Sequence, residues 1–285
     1  MLRGFGVHAS IFAKEWTKQA EHAIAESVRF GLDFIEIPLL DPHNADPARD
    51  RALLDKHNMP SICSLALPEG CWPSVSPDAA VDFLKLALDK ADAIGSVALS
   101  GVVFGGVGQR TGSPPNEGEL DTVARALADV ARYAKAKGLG LGIEPVNRYE
   151  NHLINTGKQA VELIEKIGVE GVFVHLDTYH MNIEERGAAM GIVDCGEHLG
   201  YIHLSESDRG VPGKGTCNWN EIYGALAAVG YRGGQGIESF VNLPPQFASA
   251  LCVWRPVADD ASQVMLEGLP FLKNLSSQYG ITASA

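Results

Sequence analysis

The stretch 171-GVFVHLD-177 combines a run of apolar residues with ionisable residues at its end. Its apolar residues run on without regular polar alternation, which is typical of a strand buried on both faces of a parallel sheet. The stretch ends on Asp177, and His175 and His180 lie close to this carboxylate in the sequence. The three residues look like metal ligands, but so small a group cannot hold an ion alone, so further ligands are expected elsewhere in the chain.

Seven further runs resemble this strand. They lie at residues 5–8, 34–37, 60–67, 97–104, 139–146, 200–205 and 234–239. Segments between them, such as 77–95 and 118–138, place apolar residues three and four apart and end in glycine, as helices do. With 263–278 as the last helix, the chain contains the eight strand–helix units of a (β/α)8 barrel.

A doubly wound sheet is the alternative, but no GxGxxG motif follows the first strand. We therefore predict an α/β chain that folds as a single (β/α)8 TIM barrel, with residues 1–285 forming one domain. Two long loops rich in glycine and proline, at 105–118 and 206–219, are expected on the C-terminal face of the barrel. Catalytic loops lie on that face.

Composition excludes several classes of function. The net charge is −12, and such a surface repels phosphate backbones, so we expect no nucleic-acid partner. The five cysteines are scattered and contain no CxxC motif, which favours a reducing compartment over a disulfide framework. The sequence shows neither a signal-peptide core nor a run of apolar residues long enough for a membrane span. We expect a soluble, cytoplasmic protein without membrane contact.

Ionisable residues mark the ends of four consecutive predicted strands. Glu144, Asp177, His203 and Glu238 end strands five to eight, at spacings of 33, 26 and 35 residues. Each spacing is roughly the length of one strand–helix unit. Three carboxylates and one imidazole should therefore point to the same mouth of the barrel.

The negative charge of these three carboxylates requires a compensating positive charge. Three carboxylates crowded at a barrel mouth repel one another, and burial raises the cost further. A divalent cation held by the three carboxylates and a neutral histidine would leave only one residual negative charge. This oxygen-rich set with one imidazole suits Mn²⁺, Mg²⁺ or Co²⁺ better than a structural zinc.

Other polar residues near the strand ends are ranked lower. His175 lies two residues before Asp177, on the same strand face, and should support the site from one layer below. His8 and Glu36 end the first and second strands, and both a pocket-lining and a structural role are open for them.

The chain resembles the ketose 3-epimerases, which include D-tagatose, D-psicose (allulose) and L-ribulose 3-epimerases and belong to the xylose isomerase-like TIM barrels. The stretches that carry the likeness are "IEPVNRYE" (143–150), "HLDTYHMNIEE" (175–185), "YIHLSESDRG" (201–210), "IESF" (237–240) and "VWR" (253–255). They occur in the order and spacing of that family. Weaker likeness is present in "GFGVHAS", "GLDFIEI" and "SLALPEG".

The resemblance implies roles for individual residues. It places the metal ligands, with Mn²⁺ as the first expectation, at the four positions already reached from the strand ends. It also implies that Glu144 and Glu238 are catalytic and that Glu150, His180 and Arg209 bind the ketose. A homodimer or homotetramer is implied in the same way.

The chain departs from the tagatose and psicose enzymes in the loop after strand four. Val107 stands near the expected tryptophan, and the first strand ends in "GVHAS" rather than in an aromatic-rich run. Both features are closer to the L-ribulose-type members. The preferred ketose, whether of the L-ribulose, D-psicose or D-tagatose type, is left open.

The predicted chemistry is inversion at C3 of a free 2-ketose. The C3 proton is acidic because C2 is a carbonyl, and two carboxylates on opposite faces of a cis-enediolate could remove and return it. Glu144 and Glu238 are our choice, since strands five and eight lie apart on the rim. Which of them acts as the base in which direction is left open.

Four alternatives remain. An aldose–ketose isomerase could use the same metal site, and a 3-epimerase of phosphorylated sugars would need a phosphate nest that is not evident. A metal-dependent DNA-repair endonuclease conflicts with the acidic surface, since the net charge is −12. A catalytically silent sugar-binding protein would not need two paired glutamates.

Overall fold

The computed structural model describes residues 2–281, apart from the side chains of residues 245 and 246, and it contains a closed barrel of eight parallel strands. The strands are β1 (Gly4–His8), β2 (Phe34–Pro38), β3 (Ser61–Ala66), β4 (Ala98–Val102), β5 (Gly140–Ile143), β6 (Val172–Asp177), β7 (Leu199–Leu204) and β8 (Gly234–Ile237). Each strand pairs with the next in the sequence, and β8 closes the barrel against β1. The predicted barrel is confirmed, while its extent as one domain over 1–285 stays a prediction.

Helices follow the strands on the outside of the barrel. They are α1 (Trp16–Arg29), α2 (Pro47–His57), α3 (Pro77–Ile94), α4 (Glu117–Ala136), α5 (Gly157–Ile167), α6 (Thr178–Glu184), α7 (Ala188–Cys195), α8 (Trp219–Ala228), α9 (Pro245–Ala248), α10 (Ala261–Gln263) and α11 (Leu269–Gln278). The predicted last helix, 263–278, contains a π-helical turn between α10 and α11, at Val264–Gly268. Within residues 2–281, no helix combines the length and the apolar character of a membrane span.

Local signals set the bounds of these helices. Helix α4 begins with a capping box, in which the side chain of Asn116 accepts from the amide of Glu119 and the carboxylate of Glu119 accepts from the amide of Asn116. Thr156 and Gln159 repeat this arrangement at the start of α5. The same helix ends at Gly168, whose φ of 63° is a left-handed conformation that glycine adopts without steric cost.

Aromatic side chains fill the barrel interior below its C-terminal mouth. Phe34, Phe173 and Tyr201 form a buried cluster of their own with smaller residues of β3 and β4. Because side chains alternate along a strand, Phe173 and Tyr201 share their strand faces with Asp177 and His203. The polar residues at the mouth therefore rest on a closed apolar layer.

Glycines on the neighbouring strands make room for these rings. A Cβ atom added at Gly6 would overlap the ring of Phe34, and one added at Gly236 would overlap the hydroxyl of Tyr201. A side chain at either position would push a ring out of the layer on which the polar residues of the mouth rest.

Candidate active site

Four ionisable side chains meet at the C-terminal ends of strands β5 to β8. Asp177, His203 and Glu238 offer ligand atoms that all lie within 4.8 Å of one another. Glu144 joins them, with its Oε1 atom 3.9 Å from Nδ1 of His203. The structure brings together the residues that the strand ends single out, and the role of each as a metal ligand stays a prediction.

A buried carboxylate on β2 fixes the orientation of the His203 ring. Nε2 of His203 lies 2.6 Å from Oε2 of Glu36, and the hydroxyl of Tyr201 donates to the same oxygen over 2.7 Å. Nδ1 of His203 is buried, has no hydrogen-bond partner within residues 2–281 and lies 3.7 Å from Oε2 of Glu238. An imidazole held by a carboxylate in this way presents its other nitrogen to a cation.

Glu36 and His203 form a buried ion pair. Burial alone would lower the pKa of His203, but the carboxylates of Glu36 and Glu238 raise it to about 10. Burial would raise the pKa of Glu36, but the charge and hydrogen bond of His203 lower it below its usual range. A metal ion that binds Nδ1 of His203 must displace a proton, so metal binding should release protons to solvent.

The two glutamates of the site have pKa values shifted in opposite directions. Burial raises the pKa of Glu144 well above its usual value against the opposing charge of His203, and the nearby carboxylates of Glu238 and Asp177 add to the increase. Burial would also raise the pKa of Glu238, but Arg209 and His203 lower it below its usual value. Burial raises the pKa of Asp177 to about 6. Two carboxyl groups with separated pKa values can serve as an acid and a base.

The donor set fits a divalent cation. Three carboxylates surround an imidazole whose buried Nδ1 atom has no partner within residues 2–281. Oxygen ligands with one imidazole suit Mn²⁺, Mg²⁺ or a similar ion. Two other groups meet the same distance limits, and both contain Glu144. They are Glu144 with His175 and His203, and Glu144 with Asp177 and His180.

His175 lies beneath these residues, as its place in β6 predicts. It is fully buried, and its Nδ1 atom is 3.0 Å from the hydroxyl of Ser100. Its ring centroid is 4.1 Å from that of His203. His175 therefore packs against a candidate ligand from below, which is a supporting position.

Asn147 connects two of the residues expected to bind the ketose. Its side-chain amide donates to Oε1 of Glu150 over 2.8 Å, and its backbone amide donates to Nδ1 of His180 over 3.1 Å. Because Nδ1 of His180 accepts a hydrogen bond, the proton of the neutral ring lies on Nε2. Burial lowers the pKa of His180 well below its usual value, which favours this neutral form. His180 is thus a hydrogen-bond donor toward the site.

Arg209 lies on the loop after β7 and reaches into the group of carboxylates. Its Nη1 atom contacts Oδ2 of Asp177 and lies 2.5 Å from Oε2 of Glu238. The guanidinium carbon lies 4.0 Å from the ring centroid of Tyr179 and 4.5 Å from that of Phe240. Arg209 also lines the cavity described below, and its role in binding the ketose stays a prediction.

Glu206 organises the loop that carries Arg209. Its buried carboxylate accepts from the backbone amides of Ser207 and Gly213, each over 2.8 Å. It also accepts from the amide of Cys217 over 3.0 Å and from the indole nitrogen of Trp219 over 2.9 Å. One carboxylate thereby joins both ends of a loop that lacks regular secondary structure.

A cavity of about 700 Å³ opens above this group of residues. Its floor contains Glu144, His203 and Glu238. Its outer wall is mainly apolar, and the wall residues include Ala13, Trp16, Leu67, Val107, Leu243, Phe247 and Leu251. The lysine and arginine side chains among the described lining residues are Lys14 and Arg209.

Sequence reasoning missed Asn147 and Glu206 and left the role of Glu36 open. Glu36 carried a usable signal, because a carboxylate inside an apolar barrel strand needs a buried partner. Asn147 and Glu206 lie in loops, where the sequence alone does not show which amides a side chain will meet.

Comparisons with known proteins agree with this geometry. A profile of the family described as a xylose isomerase-like TIM barrel matches residues 24–274. An L-ribulose 3-epimerase of Methylomonas sp. (strain DH-1) is 36% identical over 277 residues, which cover 94% of this chain and 96% of that protein. A ketose 3-epimerase of Arthrobacter globiformis is 31% identical over 267 residues, 89% of this chain and 92% of that protein.

A solved structure shows the same likeness in three dimensions. The crystal structure of a D-allulose 3-epimerase of Methylomonas sp. in complex with D-allulose has a TM-score of 0.91 to this chain. The two are 34% identical, and the alignment covers 96% of each chain.

Proposed function

This chain belongs to the ketose 3-epimerases of the xylose isomerase-like TIM barrel family, and from this premise we propose that it inverts C3 of free ketoses with a divalent metal ion. Mn²⁺ is our first choice of metal, with Mg²⁺ and Co²⁺ as alternatives. L-ribulose, D-psicose and D-tagatose are the candidate substrates, because related proteins carry the first two names and the sequence resembles all three types.

One observation carries this proposal. Glu144 and Glu238 extend from strands β5 and β8 toward the same histidine, at 3.9 and 3.7 Å from its Nδ1 atom. A protein that only bound sugars would not need two buried carboxylates whose pKa values are shifted apart. Inversion needs one group to remove a proton and another to return it on the opposite face.

We propose that Glu144, Asp177, His203 and Glu238 hold the ion. When bound, a divalent ion supplies positive charge that stabilises the negative charge developing on the ketose oxygens. One of the two glutamates removes the C3 proton, which is acidic because C2 is a carbonyl. The other glutamate, in its protonated form, returns a proton to the opposite face of the planar cis-enediolate. The configuration at C3 is thereby inverted.

We propose that Glu150, His180 and Arg209 orient the ketose. The proton on Nε2 of His180 suits it to donate to a ketose oxygen, and Glu150 can accept from a hydroxyl. Asn147 donates one hydrogen bond to Glu150 and one to His180, and these two bonds fix the acceptor and the donor relative to each other. Orientation of this kind lowers the entropic part of the barrier.

Three further parts of the proposal come from the resemblance and from composition. We propose that the protein works in the cytoplasm and as a homodimer or homotetramer. Its acidic charge of −12 supports a small-molecule substrate rather than nucleic acid as its partner.

The test is reconstitution with defined metals. Chelator-treated protein would be loaded with Mn²⁺, Mg²⁺ or Co²⁺ and incubated with each candidate ketose, and the C3 epimer would be measured by chromatography. We expect epimer with loaded protein and a loss of at least about a hundredfold in rate after chelation. Equal rates with and without metal, or formation of an aldose as the main product, would reject the proposal.

A further inference from the structure

We propose that Arg209 and the metal ion compete for the same carboxylate oxygens, so that metal binding displaces the Arg209 guanidinium from the position seen here. This inference rests on the proposed metal site. It assigns Arg209 a second role, as an internal cation of that site, in addition to binding the ketose.

The contacts of Arg209 place its charge among the candidate ligands. Nη1 contacts Oδ2 of Asp177, lies 2.5 Å from Oε2 of Glu238 and is 3.1 Å from the hydroxyl of Ser205. The same carboxylates and His203 form a group whose ligand atoms lie within 4.8 Å of one another. Because Nη1 carries positive charge and contacts both oxygens, a metal ion that binds the same two oxygens would repel it from this position.

The remaining atoms of the guanidinium are poorly paired in this position. Nε of Arg209 is buried and has no hydrogen-bond partner within residues 2–281. Nη2 lies 3.1 Å from Nε2 of His180. Because the amide of Asn147 donates to the other nitrogen of that ring, Nε2 carries a proton and two donors face each other. The two carboxylates are therefore the charged partners of Arg209 here, beside the rings of Tyr179 and Phe240.

The backbone around Arg209 confines the movement to its side chain. The carbonyl of Arg209 accepts from the amide of Phe240 over 3.0 Å and from the hydroxyl of Ser239 over 2.8 Å. Its amide donates to the carbonyl of Glu206 over 2.9 Å. The guanidinium can thus leave the carboxylates while the loop keeps its place, and a displaced Arg209 becomes available to a ketose oxygen. Metal should therefore bind before the sugar.

The experiment is calorimetric titration of Mn²⁺ into chelator-treated full-length protein. The variants are wild type, Arg209→Met and the control Arg148→Met, which removes an equal charge paired with Glu184. If Arg209 occupies the site in about nine-tenths of molecules, its removal lowers the apparent Kd for Mn²⁺ about tenfold. We expect at least that change for Arg209→Met and less than a twofold change for Arg148→Met.

A second measurement uses the wild-type protein, in case Arg209→Met does not fold. The Nε–H resonance of Arg209, identified by its absence from spectra of Arg209→Lys, should shift on titration with Mg²⁺ and saturate with the metal. A resonance that stays unchanged while the metal binds would overturn the inference.

The outcomes separate this inference from the proposed function. If wild type binds Mn²⁺ and epimerises ketoses but Arg209→Met binds Mn²⁺ no more tightly, only the competition is wrong. If wild type binds no divalent metal, both proposals are wrong.

Discussion

The floor of the cavity and its outer wall differ in the polarity of their side chains and in the elements that carry them. On the floor, Glu144, His203 and Glu238 lie at the ends of barrel strands, with the buried Asp177 beside them, and buried neighbours hold several of their polar atoms. On the wall, apolar side chains such as Val107 and Phe247 extend from loops and a short helix. The sheet thus fixes the groups that we propose for the chemistry, while the loops shape the space that we propose for the rest of the substrate. Changes on the floor should affect turnover, and changes on the wall should affect selectivity.

The largest effect is expected from removing one floor carboxylate. Glu144→Gln or Glu238→Gln keeps the size of the side chain but removes its ability to exchange a proton. General acid–base catalysis is worth about a hundredfold to ten-thousandfold, so kcat should fall by about that range. Steady-state rates would be measured with protein whose metal content has been determined. A metal-loaded variant with near-normal turnover would contradict the two-glutamate scheme.

A smaller effect is expected from the support beneath the floor. Glu36→Gln removes the carboxylate that accepts from Nε2 of His203 and fixes which nitrogen faces the cation. Loss of such a partner costs about tenfold to a hundredfold in metal affinity. Mn²⁺ titration would measure it, with Tyr201→Phe as the control that removes only the other donor to Glu36. Equal metal affinity in wild type and Glu36→Gln would show that the Glu36 carboxylate does not support metal binding by His203.

The ionisation of Glu206 should make the stability of the loop that carries Arg209 depend on pH. Burial would raise the pKa of Glu206, but the amides of Ser207 and Cys217 and the indole of Trp219 lower it. Its folded pKa therefore lies below the unfolded value of about 4.3, so its stabilisation is present above that pH and is lost as the pH falls through the folded pKa. Glu206→Gln should reduce the free energy of unfolding by about 1.5–3 kcal/mol at neutral pH.

Urea denaturation would measure this difference. The difference in the free energy of unfolding between wild type and Glu206→Gln should become smaller as the pH is lowered from 7 to below about 4. If this difference stayed constant over the pH range, the charge of Glu206 would not stabilise the loop.

The smallest effect is expected on the wall. Phe247→Ala removes an apolar contact at the mouth, so KM should rise by less than about tenfold while kcat stays close to wild type. Val75→Ala is the matched control, because Val75 is 72% exposed and does not line the cavity. A large fall in kcat for Phe247→Ala would contradict the expectation that wall residues affect selectivity and not turnover.

The sequence predicts the floor better than the wall for a physical reason. Parallel strands are continuous apolar runs, so a carboxylate or histidine at their ends stands out, and Glu144, Asp177, His203 and Glu238 do so. Their convergence then follows from the closure of the barrel. Glu36 was visible by the same rule, although its partner His203 is 167 positions away.

Loop geometry does not follow from such patterns. The predicted strand 139–146 ends at Ile143, because the chain then turns at Asn147, whose carbonyl accepts from the amides of Glu150 and Asn151. The position of Arg209 was equally hidden, since it depends on contacts with Tyr179 and Phe240 from two other segments. Side chains in loops find partners that neither periodicity nor spacing identifies.

The position of solvent deuterium in the product tests the proposed transfer of the C3 proton most directly. The Mn²⁺-loaded protein would be incubated in D₂O with L-ribulose, D-psicose and D-tagatose, and both products and label would be assigned by NMR. Proton transfer by Glu144 and Glu238 at C3 predicts an epimeric ketose with deuterium at C3. An aldose labelled at C2, together with recovered ketose labelled at C1, would contradict it and identify an aldose–ketose isomerase instead.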